Sequence, residues 1–356
     1  MIAEPLPAAA DVEHVTDVLR RAGVLDDCRV SDVRVASSRA TILSRIIRLR
    51  LTYDNATPHA PSSIILKTGL PDRVDKTWAS GRQEVAFYEN VGRATPAGLV
   101  PLCFEAAWDE ATNAWHLLLE DLTETHTTPT RWPLPPSKPQ CEQIVNAWAR
   151  FHAAWWDDPR LGHSVGTWTS EREDAAALQR LFAGRYHPFA DRLGDRLPQE
   201  RRDLYERFLD AVPRLWERYR SHRNLTIIHG DAHVWNCFLP QDESSDGTRL
   251  FDWDSWRIGM AAADLAYMMA MHWCPDRRRQ LERPLIDRYH AALLAQGVAG
   301  YDRCALDDDY RLSALFLIMR PVNQEAFDIP PVIWWNNLER ILLAVDDLGC
   351  GDLLHV

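Results

Sequence analysis

Three polar side chains in this sequence have the types and spacing that a metal-assisted transfer reaction requires. Asp231 is followed five residues later by Asn236, and Asp252 follows beyond a further turn. Apolar, β-rich pieces at 227–228 and 250–251 precede the two aspartates and are typical of strands that hold polar groups at their ends. Converging carboxamide and carboxylate oxygens suit Mg²⁺, and another carboxylate nearby could accept a proton from a hydroxyl group. The stretch predicts a magnesium site beside a general base; the structural alternative is an ordinary β-hairpin with polar turn residues.

The order His229-Gly230-Asp231, four further residues and Asn236 resembles the catalytic loop of kinases, where a metal-binding Asp follows on the next hairpin. Glycine stands in the position of the protein-kinase Arg. In this the stretch is similar to the aminoglycoside phosphotransferase, choline kinase and ecdysteroid-kinase-like families, which phosphorylate small molecules on a protein-kinase-like fold. The resemblance implies that Asp231 orients the acceptor hydroxyl and takes its proton, and that Asn236 and Asp252 hold Mg²⁺.

Two further aspartates follow in the same region of the sequence. Asp254 occupies the place of the glycine in the protein-kinase triplet, where it either contacts a second metal ion or satisfies backbone groups; the second role is favoured. Asp264 opens a predicted helix, so it can cap backbone N–H groups. The resemblance also implies that Asp264 braces the catalytic loop.

A predicted buried ion pair forms the second part of the pattern. Helical periodicity places Glu84 within the apolar arc of Phe87, Tyr88 and Val91. A carboxylate on such a face needs a cation or loses its charge, and Lys67, at the end of a buried-looking strand, has the matching need. The resemblance implies the kinase pair of strand lysine and helix glutamate, which positions the α- and β-phosphates. In the structural alternative, Lys67 reaches solvent and Glu84 caps a local group.

The boundary between two lobes is predicted after Leu122. An apolar strand at 117–119 runs into Glu120 and resembles the kinase hinge, so the backbone groups of Glu120 and Leu122 are implied to pair with adenine. A linker rich in threonine and proline follows at 123–139. The predicted domains are a nucleotide-binding lobe, 1–122, and a catalytic and acceptor-binding lobe, 123–356.

The glycine-rich loop that covers nucleotide phosphates in kinases has no counterpart here. A β-hairpin is predicted at 30–53 with its turn near 37–39, whose side chains would then contact the phosphates, and no glycine lies between Gly23 and Gly69. The missing glycine-rich loop motivates an alternative hypothesis, in which the protein is a nucleotide-binding pseudokinase that acts as a regulatory module. The presence of every polar position needed for the chemistry argues against that hypothesis. A protein kinase is disfavoured by the glycine before Asp231 and by the lack of an Ala-Pro-Glu segment further on.

The second half of the sequence has helical periodicity at 140–156, 281–296, 307–319 and 331–345. With the strands grouped in the first third, the pattern and the resemblance give an α+β class. The expected architecture is a bilobal protein-kinase-like fold with a small N-terminal lobe, an antiparallel sheet plus helix, and a larger, mostly helical C-terminal lobe. The predicted function is transfer of the γ-phosphoryl group of ATP or GTP to a hydroxyl of a small molecule, an aminoglycoside-, choline- or sterol-like alcohol.

Composition limits the other classes of function. The 356 residues carry a formal net charge of −11, which argues against a nucleic-acid partner because phosphates require a basic surface. The same charge fits a cationic substrate and equally fits simple solubility. Seven cysteines without a C-x-x-C pair indicate reduced thiols. No membrane association and a cytoplasmic location are expected, because neither a run of about 20 apolar residues nor a signal peptide is visible; the oligomeric state stays open.

Overall fold

The computed structural model describes residues 7–41, 43–55, 59–70, 74–172, 174–242 and 247–355, the side chains of 74–80 excepted. The first residues, in which no signal peptide is predicted, therefore lie outside the described residues, and so do residues 243–246 of the turn predicted before Asp252. The chain divides into two compact units. One comprises Met1–Thr128 and Phe238–Ser255, and the other comprises Pro129–Cys237 and Trp256–Val356. The predicted boundary between residues 122 and 123 stays a prediction, because contacts group residues by proximity and do not test which segments fold together.

A five-stranded antiparallel sheet forms the centre of the first unit, in the order β1-β2-β3-β5-β4. Its strands are Val30–Ala40 (β1), Ser44–Tyr53 (β2), Ser63–Gly69 (β3), Cys103–Trp108 (β4) and Trp115–Glu120 (β5). Strand β3 is paired on both sides, and its apolar residues Ile64 and Leu66 are fully buried. Lys67 is on the face of this strand opposite to Ile64 and Leu66, and it is buried as well.

The predicted turn at 37–39 is wrong. Ser37, Ser38 and Arg39 lie within β1 and pair with residues 46–48 of β2, and the chain crosses between the two strands only after Ala40. Strand β1 lies at the edge of the sheet, and a register shift between Val35 and Ser37 marks a bulge. An exposed, polar end of an edge strand has the same composition as a turn, which explains the error.

Two helices accompany this sheet, Val12–Arg21 (α1) and Val74–Asn90 (α2). Asp11 caps α1 by accepting the N–H groups of its first turn. Gly81 lies inside α2, where a helix interior normally disfavours glycine. A Cβ at this position would stand 2.2 Å from Nε1 of Trp115, so only glycine permits α2 to pass this indole of β5.

The second unit is mostly helical. Its helices are Lys138–Ala154 (α3), Thr169–Arg172 (α4), Ala175–Leu193 (α5), Gln199–Arg220 (α6), Ala262–Ala266 (α7), Pro275–Ala295 (α8), Arg303–Phe316 (α9), Met319–Ala326 (α10) and Pro331–Asp347 (α11). Helix α7 continues into a π-helical turn at Tyr267–Met271. Such turns are rare and often occur at functional sites.

Five short strands hold the polar stretches that the sequence singled out. In the second unit, Thr226–Ile228 (β7) pairs with Arg257–Gly259 (β10). A three-stranded sheet has the order β6-β8-β9, formed by His126–Thr127 (β6), Cys237–Pro240 (β8) and Arg249–Leu250 (β9). Asp231 follows β7 and Asp252 follows β9, so both aspartates lie just beyond strand ends, as the apolar spacing indicated.

Among the described residues, no helix combines the length and the apolar character needed to cross a membrane. All seven cysteines fall within the described ranges, and all are unpaired.

Candidate functional site

Lys67 and Glu84 form a buried ion pair in the first unit. The Lys67 side chain extends from β3 and is 9 % exposed, and the Glu84 side chain extends from α2 and is 2 % exposed. The Lys67 Nζ lies 2.8 Å from Oε1 and 2.6 Å from Oε2 of Glu84. Phe87 and Val91, which share the α2 face with Glu84, are fully buried, so burial of this carboxylate follows from the apolar arc read in the sequence.

Asp252 contacts the same ammonium group. Its Oδ1 lies 2.5 Å from Nζ of Lys67, while 40 % of its side chain remains exposed. Burial would lower the pKa of Lys67, but the charges of Asp252 and Glu84 raise it above its ordinary value. Burial is also the largest cause that raises the pKa of Glu84 to about 7, and Asp252 adds to it while Lys67 opposes it. One buried cation is thus shared between two carboxylates.

Trp253 anchors the backbone that carries Asp252. Its ring is fully buried and stacks on Phe87, with centroids 4.0 Å apart and planes inclined by 7°. Its Nε1 donates a hydrogen bond of 2.9 Å to the carbonyl of Leu250. Asp252 itself adopts φ +70°, in the left-handed region that residues other than glycine rarely enter. The sequence analysis missed this anchor, although a tryptophan between two aspartates after a buried strand was a usable signal.

Asp254 accepts a hydrogen bond of 2.8 Å from the hydroxyl of Ser255. Its charge also contributes to the raised pKa of Glu84, although it is the smallest of the named causes. Contact with a second metal ion and satisfaction of backbone groups both stay predictions for Asp254.

The predicted hinge ends β5. The N–H of Glu120 donates to the carbonyl of Leu102 at 2.9 Å, and the carbonyl of Leu122 accepts the N–H groups of Thr125 and His126 at 3.1 and 2.9 Å. Two of the four backbone groups that Glu120 and Leu122 could offer to adenine are therefore engaged within the protein. Pairing with adenine stays a prediction, and it concerns the Glu120 carbonyl and the Leu122 N–H.

Asp121, between Glu120 and Leu122, is held by hydrogen bonds from two strands. Oδ2 of Asp121 accepts hydrogen bonds of 2.5 Å from Nε of Arg48 and from the hydroxyl of Ser63. Burial would raise the pKa of Asp121, but these bonds and those from Thr123 lower it. Strands β2 and β3 thereby fix the direction in which the chain leaves β5.

In the second unit, the loop from His229 to Asn236 is shaped by one glycine and one buried aspartate. Gly230 adopts φ +79°, which is strained for any residue with a Cβ, and this explains glycine at the position of the protein-kinase Arg. The carboxylate of Asp264 accepts the N–H of His229 at 2.7 Å and the N–H of Gly230 at 3.0 Å. Asp264 therefore contacts the loop in the way that the resemblance implied.

The expected capping role of Asp264 is wrong. It lies within α7, whose N-cap is Ala261, and that N-cap makes no side-chain hydrogen bond. His152, on α3, lies with Nε2 3.2 Å from Oδ2 of Asp264 and Nδ1 2.8 Å from the hydroxyl of Tyr289. Burial would raise the pKa of Asp264, but its bonds to His152 and to the loop backbone lower it. A charged, fully buried Asp264 thus sets the loop conformation from beneath.

Asp231 is surrounded by cationic and hydroxyl groups. Oδ1 accepts a short hydrogen bond from the hydroxyl of Tyr267 and lies 3.6 Å from Nη2 of Arg320. Oδ2 lies 3.6 Å from Nε2 of His233. Burial would raise the pKa of Asp231, but the charges of His233 and Arg320 and the Tyr267 bond hold it well below its ordinary value. The carboxylate is therefore ionised at neutral pH.

Tyr267 and Arg320 are functional candidates that the sequence analysis did not find. Tyr267 is the first residue of the π-helical turn after α7, and Arg320 is on α10. Arg320 also donates to the carbonyl of Gly230 at 3.2 Å and to the Tyr267 hydroxyl at 3.4 Å. No sequence spacing links positions 231, 267 and 320, so only the fold brings them together.

Asn236 lies at the end of the same loop and is 4 % exposed. Its Nδ2 donates to the backbone carbonyl of Asp231 at 3.0 Å and faces Oδ2 of Asp231 at 3.4 Å. Because these contacts use the amide nitrogen, the carboxamide presents Oδ1 as its acceptor atom. An oxygen acceptor is the kind of ligand that Mg²⁺ prefers, so the orientation fits the predicted metal role.

Comparisons with known proteins give a consistent result. The model of the ecdysteroid kinase-like family matches residues 40–297. Comparison with curated protein sequences found no match.

Solved structures with a similar fold were also found. The chain is similar to a candidate aminoglycoside phosphotransferase of Ralstonia eutropha JMP134, at 13 % identity and a TM-score of 0.57 over 96 % of this chain and 98 % of that one. It is similar to the choline kinase of Cryptosporidium parvum Iowa II, at 12 % identity and a TM-score of 0.56 over 96 % of this chain and 98 % of that one. It is also similar to a microcompartment-associated aminopropanol kinase, at 13 % identity and a TM-score of 0.55 over 97 % of this chain and 99 % of that one. At these identities the matches show the fold alone, and they confirm the predicted α+β, protein-kinase-like class.

Proposed function

We propose that this chain, which belongs to the ecdysteroid kinase-like family, transfers the γ-phosphoryl group of ATP or GTP to a hydroxyl group of a small-molecule alcohol. Small-molecule kinases are the class to which its family and its structural relatives point. We propose in addition that this chain itself transfers phosphate and that its acceptor is an alcohol. The observation that carries the proposal is the contact of the Lys67 ammonium with two carboxylates, Glu84 and Asp252.

The charge balance of this cluster supports a nucleotide role. A structural ion pair needs one carboxylate for each cation, whereas here a second, partly exposed carboxylate, Asp252, contacts the same ammonium group. When Glu84 and Asp252 are both ionised, the cluster with Lys67 carries one excess negative charge. The pKa of Glu84, raised to about 7 mainly by burial, agrees with that excess. A divalent cation beside Asp252 and a phosphate beside Lys67 would restore the balance.

We assign Mg²⁺ to Asn236 and Asp252. Both side chains offer oxygen, which suits this hard cation, and the amide nitrogen of Asn236 is already directed at Asp231. The ion, when bound, neutralises charge that develops on phosphate oxygens during transfer. Lys67, held by Glu84, would steady the phosphates. The assignment requires that the Mg²⁺ residues and the Lys67–Glu84 pair act on one nucleotide. The dependence of the variants' activity on the metal tests that requirement.

Asp231 is proposed to orient the acceptor hydroxyl and to take its proton. Because Tyr267 and Arg320 occupy the Oδ1 side, the acceptor would approach Oδ2. Phosphoryl transfer depends mainly on positioning and charge neutralisation, so a carboxylate with one oxygen fixed and the other oriented is suited to the task. The nearby guanidinium of Arg320 keeps the carboxylate ionised and able to accept a hydrogen bond.

A regulatory module that binds nucleotide without transferring phosphate is the second candidate. One observation favours it: residues 24–68 contain no glycine, the residue type that allows a backbone to approach phosphates closely. Such a module would be stabilised by nucleotide and would consume none.

The test is a coupled ATP-consumption and GTP-consumption screen of the full chain with Mg²⁺. The acceptor panel contains aminoglycosides, choline-like amines, macrolides, sterols and sugars. The variants are Asp231→Asn, Asp252→Ala and, as a control, Asp276→Asn, which alters an aspartate whose side chain is 98 % exposed on α8. Nucleotide affinity is measured separately by thermal shift.

We expect acceptor-dependent consumption in the parent protein. Asp231→Asn should lower kcat by about 10²- to 10⁴-fold, the range of general-base catalysis, while leaving nucleotide affinity largely intact. Asp252→Ala should abolish turnover and weaken the binding of Mg·ATP, and Asp276→Asn should behave as the parent protein. Nucleotide-dependent stabilisation with no consumption across the panel would favour the regulatory module. Wild-type rates in both site variants against a confirmed acceptor would refute the assignments.

A further inference from the structure

We propose that His14, Glu105 and His116 form a site for a divalent transition-metal ion of the zinc class. Their ligand atoms lie within 4.8 Å of one another. Nε2 of His14 is 2.6 Å from Oε2 of Glu105, and Nε2 of His116 is 2.8 Å from the same oxygen. None of the three residues belongs to the set assigned to nucleotide, Mg²⁺ or acceptor, so the inference is independent of the proposed kinase activity.

Three separate elements of the first unit supply the ligands. His14 is on α1, which also buries Val15, Val18 and Leu19 in the core of this unit. Glu105 is on the edge strand β4 and His116 on β5. Fixed elements on all sides hold the three donor atoms in place, as a metal site requires.

The strand register explains why Glu105 meets His116. Ala107 of β4 pairs directly with His116 of β5. Glu105 is two residues before Ala107, so its side chain is on the same face of the sheet as His116. The two side chains are therefore diagonal neighbours across an antiparallel pair, a separation that long side chains bridge.

The ligand chemistry favours zinc over the hard cations. Two imidazoles and one carboxylate are a ligand set of open zinc sites, whereas Mg²⁺ and Ca²⁺ prefer oxygen alone. Tetrahedral coordination with bonds of about 2.0 Å separates ligand atoms by roughly 3.3 Å. The observed 2.6 and 2.8 Å distances are about 0.5–0.7 Å shorter, so the ion would enter after a small outward rotation of side chains.

Solvent can reach this cluster. The His14 side chain is 36 % exposed, and those of His116 and Glu105 are 22 % and 15 % exposed. An entry path for the ion therefore exists. Three protein ligands leave one tetrahedral position for water or another small ligand.

Arg21 completes the arrangement from outside. It is seven residues after His14, two turns along the same face of α1, and its Nη2 lies 2.8 Å from Oε1 of Glu105. This contact uses the carboxylate oxygen that the histidines do not face, and it thereby orients Oε2 toward them, as outer partners do in metal sites. The Arg21 side chain is 68 % exposed, so solvent screens its repulsion of a cation.

A purely structural role accounts for less of this geometry. One histidine is enough to connect α1 to the hairpin of β4 and β5 through Glu105. A carboxylate oxygen has two lone pairs and can accept a hydrogen bond from each imidazole, and the second imidazole also supplies the third ligand that a metal needs. The net charge of −11 on the whole chain also favours a bound cation.

The experiment uses the full chain produced without a polyhistidine tag and stripped with a chelator. Zn²⁺ is titrated calorimetrically, and Co²⁺ is added as a spectroscopic probe of coordination. The variants are His14→Gln, His116→Gln and Arg21→Gln. The matched control is His187→Gln, which removes a histidine paired with one glutamate, Glu206, at 3.5 Å on the exposed surface.

We expect one equivalent of Zn²⁺ per chain and visible Co²⁺ absorption without a thiolate charge-transfer band. His14→Gln and His116→Gln should each weaken binding by about a hundredfold or more, because they remove a direct ligand, and Arg21→Gln by about tenfold, as an outer partner does. His187→Gln should bind as the parent protein. If His116→Gln does not fold, the more exposed His14→Gln decides the result. Absence of stoichiometric binding, binding retained in His14→Gln, or a thiolate band that assigns the ion to cysteine would overturn the proposal.

Discussion

Replacing Tyr267 with phenylalanine removes one hydroxyl, which donates to Asp231 and accepts a hydrogen bond from Arg320. That hydroxyl donates to Oδ1 of Asp231, and a hydrogen bond to a charged group contributes about 1.5–3 kcal/mol. Arg320 remains 3.6 Å from the same oxygen, so the carboxylate stays ionised and retains part of its orientation. If about half of this energy, ~0.75–1.5 kcal/mol, acts on positioning in the transition state, kcat should fall roughly four- to twelvefold, since about 1.4 kcal/mol corresponds to a factor of ten.

The assay for Tyr267→Phe is steady-state turnover of the acceptor found by the screen, together with nucleotide affinity by thermal shift. We expect a lower kcat with little change in nucleotide affinity, because Tyr267 is not one of the residues assigned to the nucleotide or to Mg²⁺. The matched control is Tyr205→Phe, which also removes a buried hydroxyl, one that donates to the carbonyl of Ile318 at 2.7 Å. This control should lose about 1 kcal/mol of unfolding free energy and keep its kcat. An unchanged kcat in Tyr267→Phe, or an equal fall in both variants, would show that the Tyr267 contact does not position Asp231.

Asp264→Asn should lower the unfolding free energy by about 2–4 kcal/mol in urea, because a charged acceptor of two backbone N–H groups is lost; an unchanged midpoint would contradict its bracing role. Gly230→Ala should cost about 1–2 kcal/mol and impair turnover, since φ there is +79°, whereas Gly184→Ala in the open interior of α5 should be neutral or stabilising. Burial lowers the pKa of His272 to about 3, with His233 adding to it, so the unfolded chain binds a proton from pH 6.5 downward that the folded chain does not, and stability should fall by about 1.5 kcal/mol between pH 6.5 and 5.0. His272→Gln should remove that part of the decline in urea unfolding at the two pH values; equal slopes for both proteins would refute the assignment.

The sequence was informative about the site where the chemistry of one residue constrains its surroundings. Glu84 within an apolar arc required a cation, and the structure places Lys67 against it. The apolar pieces before Asp231 and Asp252 required strands, and β7 and β9 lie there. In each case burial of a charge or of a backbone group leaves few solutions, so local sequence sufficed.

The sequence was misleading where exposure removes such constraints. The polar end of β1 at 37–39 resembled a turn because an edge strand tolerates polar side chains. Asp264 resembled a helix cap because aspartate is common there, yet its carboxylate accepts the N–H groups of His229 and Gly230. Both positions needed knowledge of a distant partner.

By itself, the sequence determined the fold class, the two polar stretches and the ion pair between Lys67 and Glu84, because the resemblance of its motifs adds to what periodicity and the cost of burying charge show along the chain. Only the tertiary structure decided which distant groups surround each of them: Tyr267 and Arg320 at Asp231, Trp253 on Phe87, and His14 beside His116 at Glu105. Residues from different elements meet through packing, and packing geometry leaves no mark on sequence spacing. The functional candidates that the sequence could not supply are therefore those whose partners lie on another helix or strand.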